Sequence, residues 1–207
     1  ATNSLINQNK ISDGYIRPIT WLGDETLGLS ANNLSINIAI SIWDWPKVHQ
    51  GENGIDICIS DFRKPIGNSI PAQAKATGGY LLGVLAYQDS IKKGFQDCLL
   101  LDSDGFVAEG SCANVFFVFS GELHTPKADC FLNGITRQKV IYFAKQMGIK
   151  VKERRILPDE ISQAEEVFFT GTAVEILSVN KIDEVDIPIG PITKLIETEY
   201  KKATFAY

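Results

Sequence analysis

Residues 70–83 read IPAQAKATGGYLLG, a stretch in which one lysine stands among small and apolar neighbours. Ala74 and Ala76 flank Lys75 and no acid follows until Asp89, whereas other lysines sit in polar runs such as Lys92-Lys93 and Lys201-Lys202. Pro71 precedes an apolar, helix-like segment that reaches about Lys93 and is closed by Gly94. Lys75 therefore falls at the approach to that helix. An ammonium in such a place either snorkels to solvent or is kept for its amine. The second use requires that the charge of a group with an ordinary pKa of about 10.4 be disfavoured, or that the amine be consumed as an imine.

An imine-forming lysine implies an aldehyde cofactor. Pyridoxal phosphate asks three things of a protein: a lysine for its aldehyde, a group facing its ring nitrogen, and a cup for its phosphate. The sequence offers a candidate for each. NGITRQK opens an amphipathic helix with Gly134, Ile135 and Thr136, whose free backbone N–H groups and dipole favour an anion. TGTA, residues 170–173, is a second glycine- and hydroxyl-rich turn directly after the strand-like EEVFF. Glu109 ends the strand-like GFVAE before the small pair Gly110-Ser111, which puts one carboxylate at the edge of an apolar sheet. Each feature alone has an ordinary reading, a plain helix start or a solvated strand-end acid. Their coincidence with Lys75 carries the argument.

The rest of the chain narrows the class. Its 207 residues are 44% hydrophobic and 22% charged, a globular composition long enough for one large domain and part of another. A formal net charge of -5, with Lys and Arg scattered among acids, leaves no basic footprint for nucleic acid. The longest apolar runs, YLLGVLAY and NVFFVF, fall well short of the roughly 20 residues of a spanning helix, so no membrane partner is expected. Cys58, Cys98, Cys112 and Cys130 show no CxxC pairing and the histidines are only His49 and His124, which gives no support to a metal site. Such cysteines read as small buried hydrophobes in a reducing, cytoplasmic protein.

GYIRPITWLG and SINIAISIWDW are rich in β-branched residues and read as two strands joined by a Gly- and Asn-containing connection. PKVHQGENG is polar and turn-rich. IDICISDFRK, DCLLLD, FVAEGS, NVFFVFSG, KVKERRI and EEVFFTGTAVEILSVNKID read as further strands. GITRQKVIYFAKQMG repeats apolar residues near a 3.6 period up to Gly148, and PITKLIETEYKKATFAY is a closing helix. Hairpins mixed with a few helices predict a mixed α/β (α+β) class.

Taken in order and at their separations, AKATGGY, EGSCANVF, LNGITRQ and FFTGTAVEI resemble the class IV, fold-type IV pyridoxal-phosphate enzymes. YIRP at residues 15–18 is similar to the branched-chain amino-acid aminotransferases among them. The resemblance runs from about residue 5 to the last helix. It implies that Lys75 bonds the cofactor and carries the proton, that Glu109 pairs with the ring nitrogen, that Tyr80 bonds the phenolic oxygen and that Leu132 packs on the ring face. It further implies that the backbone groups of Ile135 and Thr136, with the Thr172 hydroxyl, hold the phosphate. Tyr15, Arg17 and the Thr172-Ala173 turn would handle substrate carboxylates, and Trp45 would wall the side-chain pocket. The implied reaction is transamination of leucine, isoleucine and valine with 2-oxoglutarate in a homodimer or dimer-based oligomer. A D-amino-acid aminotransferase or aminodeoxychorismate lyase of the same fold, which YIRP disfavours, and a silent cofactor-binding fragment are the alternatives.

Members of that family carry a further N-terminal stretch that completes a small domain. The expectation is therefore a small-domain remnant at 1–45, an interdomain loop at 46–53 and a large cofactor-binding domain at 54–207, the C-terminal part of a longer protein.

Overall fold

Helix α1 (Thr2–Asn9), in a stretch where the sequence reading assigned no element, leads into a hairpin of β1 (Tyr15–Leu22) and β2 (Ile36–Trp43). The strands pair antiparallel without a break, from Tyr15 opposite Trp43 to Leu22 opposite Ile36. Because side chains alternate across a strand, Tyr15 and Arg17 share a face with Trp43 and Ser41, while Ile16, Pro18 and Leu22 share the other with Ile42, Ile40 and Ile36. On that second face Ile16, Leu22, Ile36 and Ile38 are exposed.

This is a computed structural model that describes residues 1–26, 28–45, 54–65 and 68–204. The chain divides into two units, residues 1–47 and 48–207. The loop expected at 46–53 lies outside the described residues.

The second unit opens with β3 (Ile55–Lys64), followed by turns and a short 3₁₀ segment at Thr77–Gly79, then α2 (Tyr80–Lys92), β4 (Asp97–Asp102), β5 (Val107–Gly110), β6 (Asn114–Phe119) and β7 (Glu122–Thr125). It continues with α3 (Ile135–Gln146), β8 (Val151–Glu153), β9 (Glu166–Gly171), β10 (Glu175–Ile182), β11 (Val185–Asp186) and α4 (Pro191–Thr204). The sheet runs β5-β4-β3-β10-β9-β6-β7-β8, with β11 beside β10. Pairs β3/β4, β3/β10 and β7/β8 are parallel and the others antiparallel. A mixed sheet with helices follows from a sequence that alternates hairpin-forming runs with long connections.

Both faces of the middle of this sheet are buried, which explains the unbroken apolar runs. Val115, Phe117, Val167 and Phe169 point into one cluster with Ile57, Leu99, Val179 and Ile182. Phe116, Val118 and Phe168, one residue out of phase, pack with Val140 and Ala144 of α3 and Ile196 of α4. Phe116 stacks on Phe168 at 5.2 Å between ring centroids. Ala86 of α2 covers Cys58, Cys98 and Leu100 of β3 and β4, so those cysteines serve as small core residues.

Three details differ from the sequence reading. Helix α2 begins at Tyr80, well after Pro71, because Ala76 is extended (φ −77°, ψ 139°) and the Gly78-Gly79 pair weakens helix before that point. Lys75 thus sits in the turn ahead of the helix. The strand expected over KVKERRI stops at Glu153, where Arg154 turns to make a two-pronged pair with Glu160 (3.0 and 2.7 Å) and Arg155 reaches Asp104. Strand β7 went unread because ELHT has only one aliphatic residue. Among the described residues no helix is long and apolar enough to cross a membrane.

Candidate active site

Within the second unit, the sheet edge presents a buried acid. Glu109 sits on β5, the edge strand, at 7% exposure, and both its oxygens are engaged. Lys64, at the end of β3, forms an ion pair with Oε1, and Asn114 Nδ2 donates to Oε2 at 3.1 Å. Burial pushes the carboxyl up to about 7, opposed first by Lys64 and then, at longer range, by Lys75. Lys75 is therefore within electrostatic reach of Glu109, although the two lie far apart in sequence. The Lys75 side chain is exposed, and its amine lies 5.7 Å from the centre of the Tyr80 ring.

Asn114 then links the acid to the anion-favouring helix start. Its Nδ2 also donates to the Leu132 carbonyl at 3.0 Å, and its Oδ1 accepts from the Gly134 N–H at 3.2 Å. Any Cβ at position 134 would collide with that Oδ1, so the glycine is required by close approach. Directly after Gly134, α3 begins at Ile135 with no side-chain cap on its first turn. Ile135 is 78% exposed, while Thr136 is buried. The first N–H groups of a helix have no partner within it and stand ready for an acceptor.

A second polar atom faces the same neighbourhood. Thr170 on β9 pairs across the sheet with Asn114, so their side chains share a face. Its hydroxyl is buried without a hydrogen-bond partner. Buried hydroxyls are ordinarily satisfied, and an orphan is a mark of a missing ligand or water. Thr172 and Ala173 form the turn that follows, between β9 and β10, with Thr172 exposed and Ala173 half-buried.

Close packing brings α2 to this site. A Cβ on Gly83 would overlap the Ser111 carbonyl, so the helix that follows Lys75 rests on the backbone just beyond Glu109. Arg137, at 1% exposure, anchors the first turn of α3: it donates to Asn133 Oδ1 at 2.8 Å, to the Pro126 carbonyl at 2.9 Å and to Glu153 at 2.7 Å.

In the first unit, Tyr15, Arg17, Trp43 and Trp45 form one aromatic cluster. The Tyr15 ring centre lies 5.2 Å from that of Trp43 and 4.9 Å from that of Trp45, and the Arg17 guanidinium sits 5.3 Å from the Tyr15 ring.

The structure thus brings Lys75, Tyr80, Glu109, Leu132, Ile135 and Thr136 into one neighbourhood, and Tyr15, Arg17 and Trp45 into another. Sequence reasoning missed Lys64, Asn114, Arg137 and Trp43. Two of these left a signal: Arg137 is a charge in phase with the buried Val140 and Ala144, and Asn114 is the polar first residue of an apolar strand. Lys64 acts through a pairing between distant strands, which no local pattern records, and the TGTA turn marked Thr170 without its pairing to Asn114.

Comparison with known proteins follows these features. Residues 1–182 match the domain family described as amino-transferase class IV. The branched-chain-amino-acid aminotransferase of Pseudomonas aeruginosa is 36% identical over 207 residues, covering 97% of this chain and 67% of that protein. The crystal structure of a branched-chain aminotransferase from Thermoproteus uzoniensis with norvaline is similar at a TM-score of 0.92 and 32% identity, over 97% of this chain and 68% of that one. A T.th. branched-chain amino acid aminotransferase complexed with N-(5'-phosphopyridoxyl)-L-glutamate gives 0.87 and 33%, over 97% and 67%. The chain spans 61% to 67% of the length of the first curated relatives. A family match over most of the chain, with the motifs around Lys75, Glu109, Gly134 and Thr172 folded as described, means that the chain belongs to the class IV aminotransferases.

Proposed function

We propose that this chain is the cofactor-binding part of a branched-chain amino-acid aminotransferase, with the small-domain remnant at 1–45 and the large domain from 54 onward. The observation that carries the reading is the Asn114 bridge, which holds a buried acid and an uncapped helix start on the two sides of one amide. Those two features answer to the two ends of a phosphorylated pyridine ring. The orphaned Thr170 hydroxyl beside them is a donor in want of an acceptor, as a phosphate cup requires. The residues present fit pyridoxal phosphate.

Glu109 would face the ring nitrogen and hold a proton there, paired with Lys64 and aimed by Asn114. The N–H groups of Ile135 and Thr136 with the Thr172 hydroxyl would take the phosphate. Leu132 would cover the ring, and Tyr80 would bond its phenolic oxygen. When bound, the cofactor supplies the carbonyl that receives the amino group and the ring that takes up the electrons left by the departing α-proton. The Lys75 amine would carry that proton between the substrate α-carbon and C4′, in one direction in the first half reaction and in the reverse direction in the second.

Substrate choice is assigned to Tyr15, Arg17, Trp45 and the Thr172-Ala173 turn. An arginine resting on aromatic faces suits a pocket that alternates between apolar branched chains and the γ-carboxylate of glutamate. The relatives are named for branched-chain substrates, which supports the same choice. We assign the protein to the reducing cytoplasm, in keeping with four free cysteines. We also assign it to a homodimer, in keeping with the exposed apolar face of Leu81, Val84 and Leu85 on α2.

A coupled glutamate assay tests the reading. Leucine, isoleucine and valine with 2-oxoglutarate should turn over in the full-length protein, and D-alanine should not. Turnover of the D-substrate alone would place the protein elsewhere in the family, and binding of the cofactor without turnover of any amino acid would make it a silent binder.

A further inference from the structure

Ahead of α2, one side chain ties the lysine segment to the loop that carries the rest of the site. Residues 68–79 make turns and a short 3₁₀ segment, and their backbone bonds stay local: Ala74 N–H to the Pro71 carbonyl (3.0 Å), Ala76 N–H to that of Ala74 (2.8 Å) and Gly79 N–H to that of Ala76 (3.0 Å). The Tyr80 N–H joins the end of this segment to α2 through the Thr77 and Gly78 carbonyls, and among the described residues the side-chain hydrogen bonds that leave the segment are those of Gln73. Its Nε2 donates to the carbonyls of Ala128 and Phe131, each at 3.0 Å, and its Oε1 accepts from the Asn133 N–H at 3.2 Å. Both N–H bonds and one lone pair of a single amide are spent on one loop.

That loop is the one on which the rest of the site is referenced. It carries Leu132, whose carbonyl accepts from Asn114, and it runs through Gly134 into α3. Asn114 in turn fixes Glu109. Acid and helix start are therefore set against the loop by Asn114, while the lysine is set against it by Gln73, two residues away.

Building on the cofactor reading above, we propose that Gln73 is a positioning residue that places the Lys75 amine over the cofactor site. A long, exposed side chain whose amine lies beside the Tyr80 ring reaches a fixed carbon efficiently only if its backbone is anchored. The anchored turn limits the wandering of Lys75, so the brace acts on formation of the covalent link: the Lys75 nitrogen adds to the aldehyde carbon, the C=N bond forms and the carbonyl oxygen leaves as water. A ligand that fills the same cup without joining the lysine does not need the brace.

Pyridoxal phosphate and pyridoxamine phosphate make that distinction, because the second has no aldehyde. The experiment is a calorimetric titration of the cofactor-free, full-length protein with each, for wild type, Gln73→Met and Gln73→Glu. Methionine keeps the length and stem of glutamine and loses all three hydrogen bonds; glutamate keeps the acceptor for Asn133 and loses both donors. In both variants the Kd for pyridoxal phosphate should rise about tenfold, the equivalent of about 1.4 kcal/mol, with the Kd for pyridoxamine phosphate unchanged. Amide exchange at Asn133 should quicken in Gln73→Met, reporting loss of the brace itself. Equal losses for both ligands would mean that Gln73 merely stabilises the loop, and no loss for either would mean that the brace has no role; both overturn the proposal and leave the cofactor reading intact. A wild-type protein that binds neither ligand would overturn the cofactor reading and the brace with it.

Discussion

Glu109 concentrates the physics of the site in one carboxyl. Folding removes it from water, and the loss of hydration outweighs what Lys64 and Lys75 return, so it rises from an ordinary 4.5 to about 7. A carboxyl held more tightly protonated in the folded state adds stability that is complete below about pH 4.5 and is lost as pH rises through about 7. At about 1.36 kcal/mol per pH unit, the loss is on the order of 3 kcal/mol. Urea unfolding of the cofactor-free protein should show wild type losing about that amount relative to Glu109→Gln between about pH 4.5 and pH 8, other groups such as His124 titrating alike in both; parallel curves would contradict the burial argument. In the loaded enzyme the same substitution should slow transamination by about two or more orders of magnitude while keeping the cofactor bound, because an amide cannot hold the proton at the ring nitrogen. A stopped-flow half reaction measures this. Glu109 was legible in the sequence as an acid ending an apolar run. Its partner Lys64 was not, since the two meet only when β3, β4 and β5 line up.

At the scale of elements, long periodic segments were readable and short or irregular ones were not. Strands β3 to β6 and helix α3 arise from patterns that burial rewards directly, as the alternation of Phe116 and Phe117 between two clusters shows, whereas β1 and β2 follow from their β-branched composition. The start of α2 was misjudged because Pro71 is only one constraint, and a glycine pair nearer the apolar run outweighs it. Tertiary caps were invisible. Glu166 at the start of β9 accepts from Ile192 N–H at 3.0 Å and from Thr193 N–H and Oγ1 at 2.7 and 2.6 Å, closing the open end of α4 from 26 and 27 residues away. Glu166→Ala leaves those donors without an acceptor and should lower stability by about 2–3 kcal/mol in urea unfolding, with cofactor affinity unchanged because the three bonds of Glu166 go to the start of α4 and not to Asn114, Gly134 or Thr170. A Cβ branch at Gly83 acts differently. Gly83→Val pushes α2 away from Ser111 and should weaken both stability and cofactor binding, a joint loss that thermal unfolding and titration together would register.

For the whole molecule, the two units carry separate parts of the proposed chemistry. The second holds the groups that answer to the cofactor, and the first holds the aromatic cluster around Arg17. On its proposed role, Arg17→Met should raise KM for 2-oxoglutarate by about tenfold through loss of a charge-assisted contact, while KM for leucine changes little; equal effects on both substrates would assign Arg17 to the fold of the hairpin. The most direct measurement of the central claim is the absorbance of the full-length protein, loaded with pyridoxal phosphate, as L-leucine is added, beside Lys75→Ala under the same conditions. The account predicts that wild type passes to the spectrum of pyridoxamine phosphate and that Lys75→Ala, though folded, does not. Conversion by Lys75→Ala at the wild-type rate would contradict it.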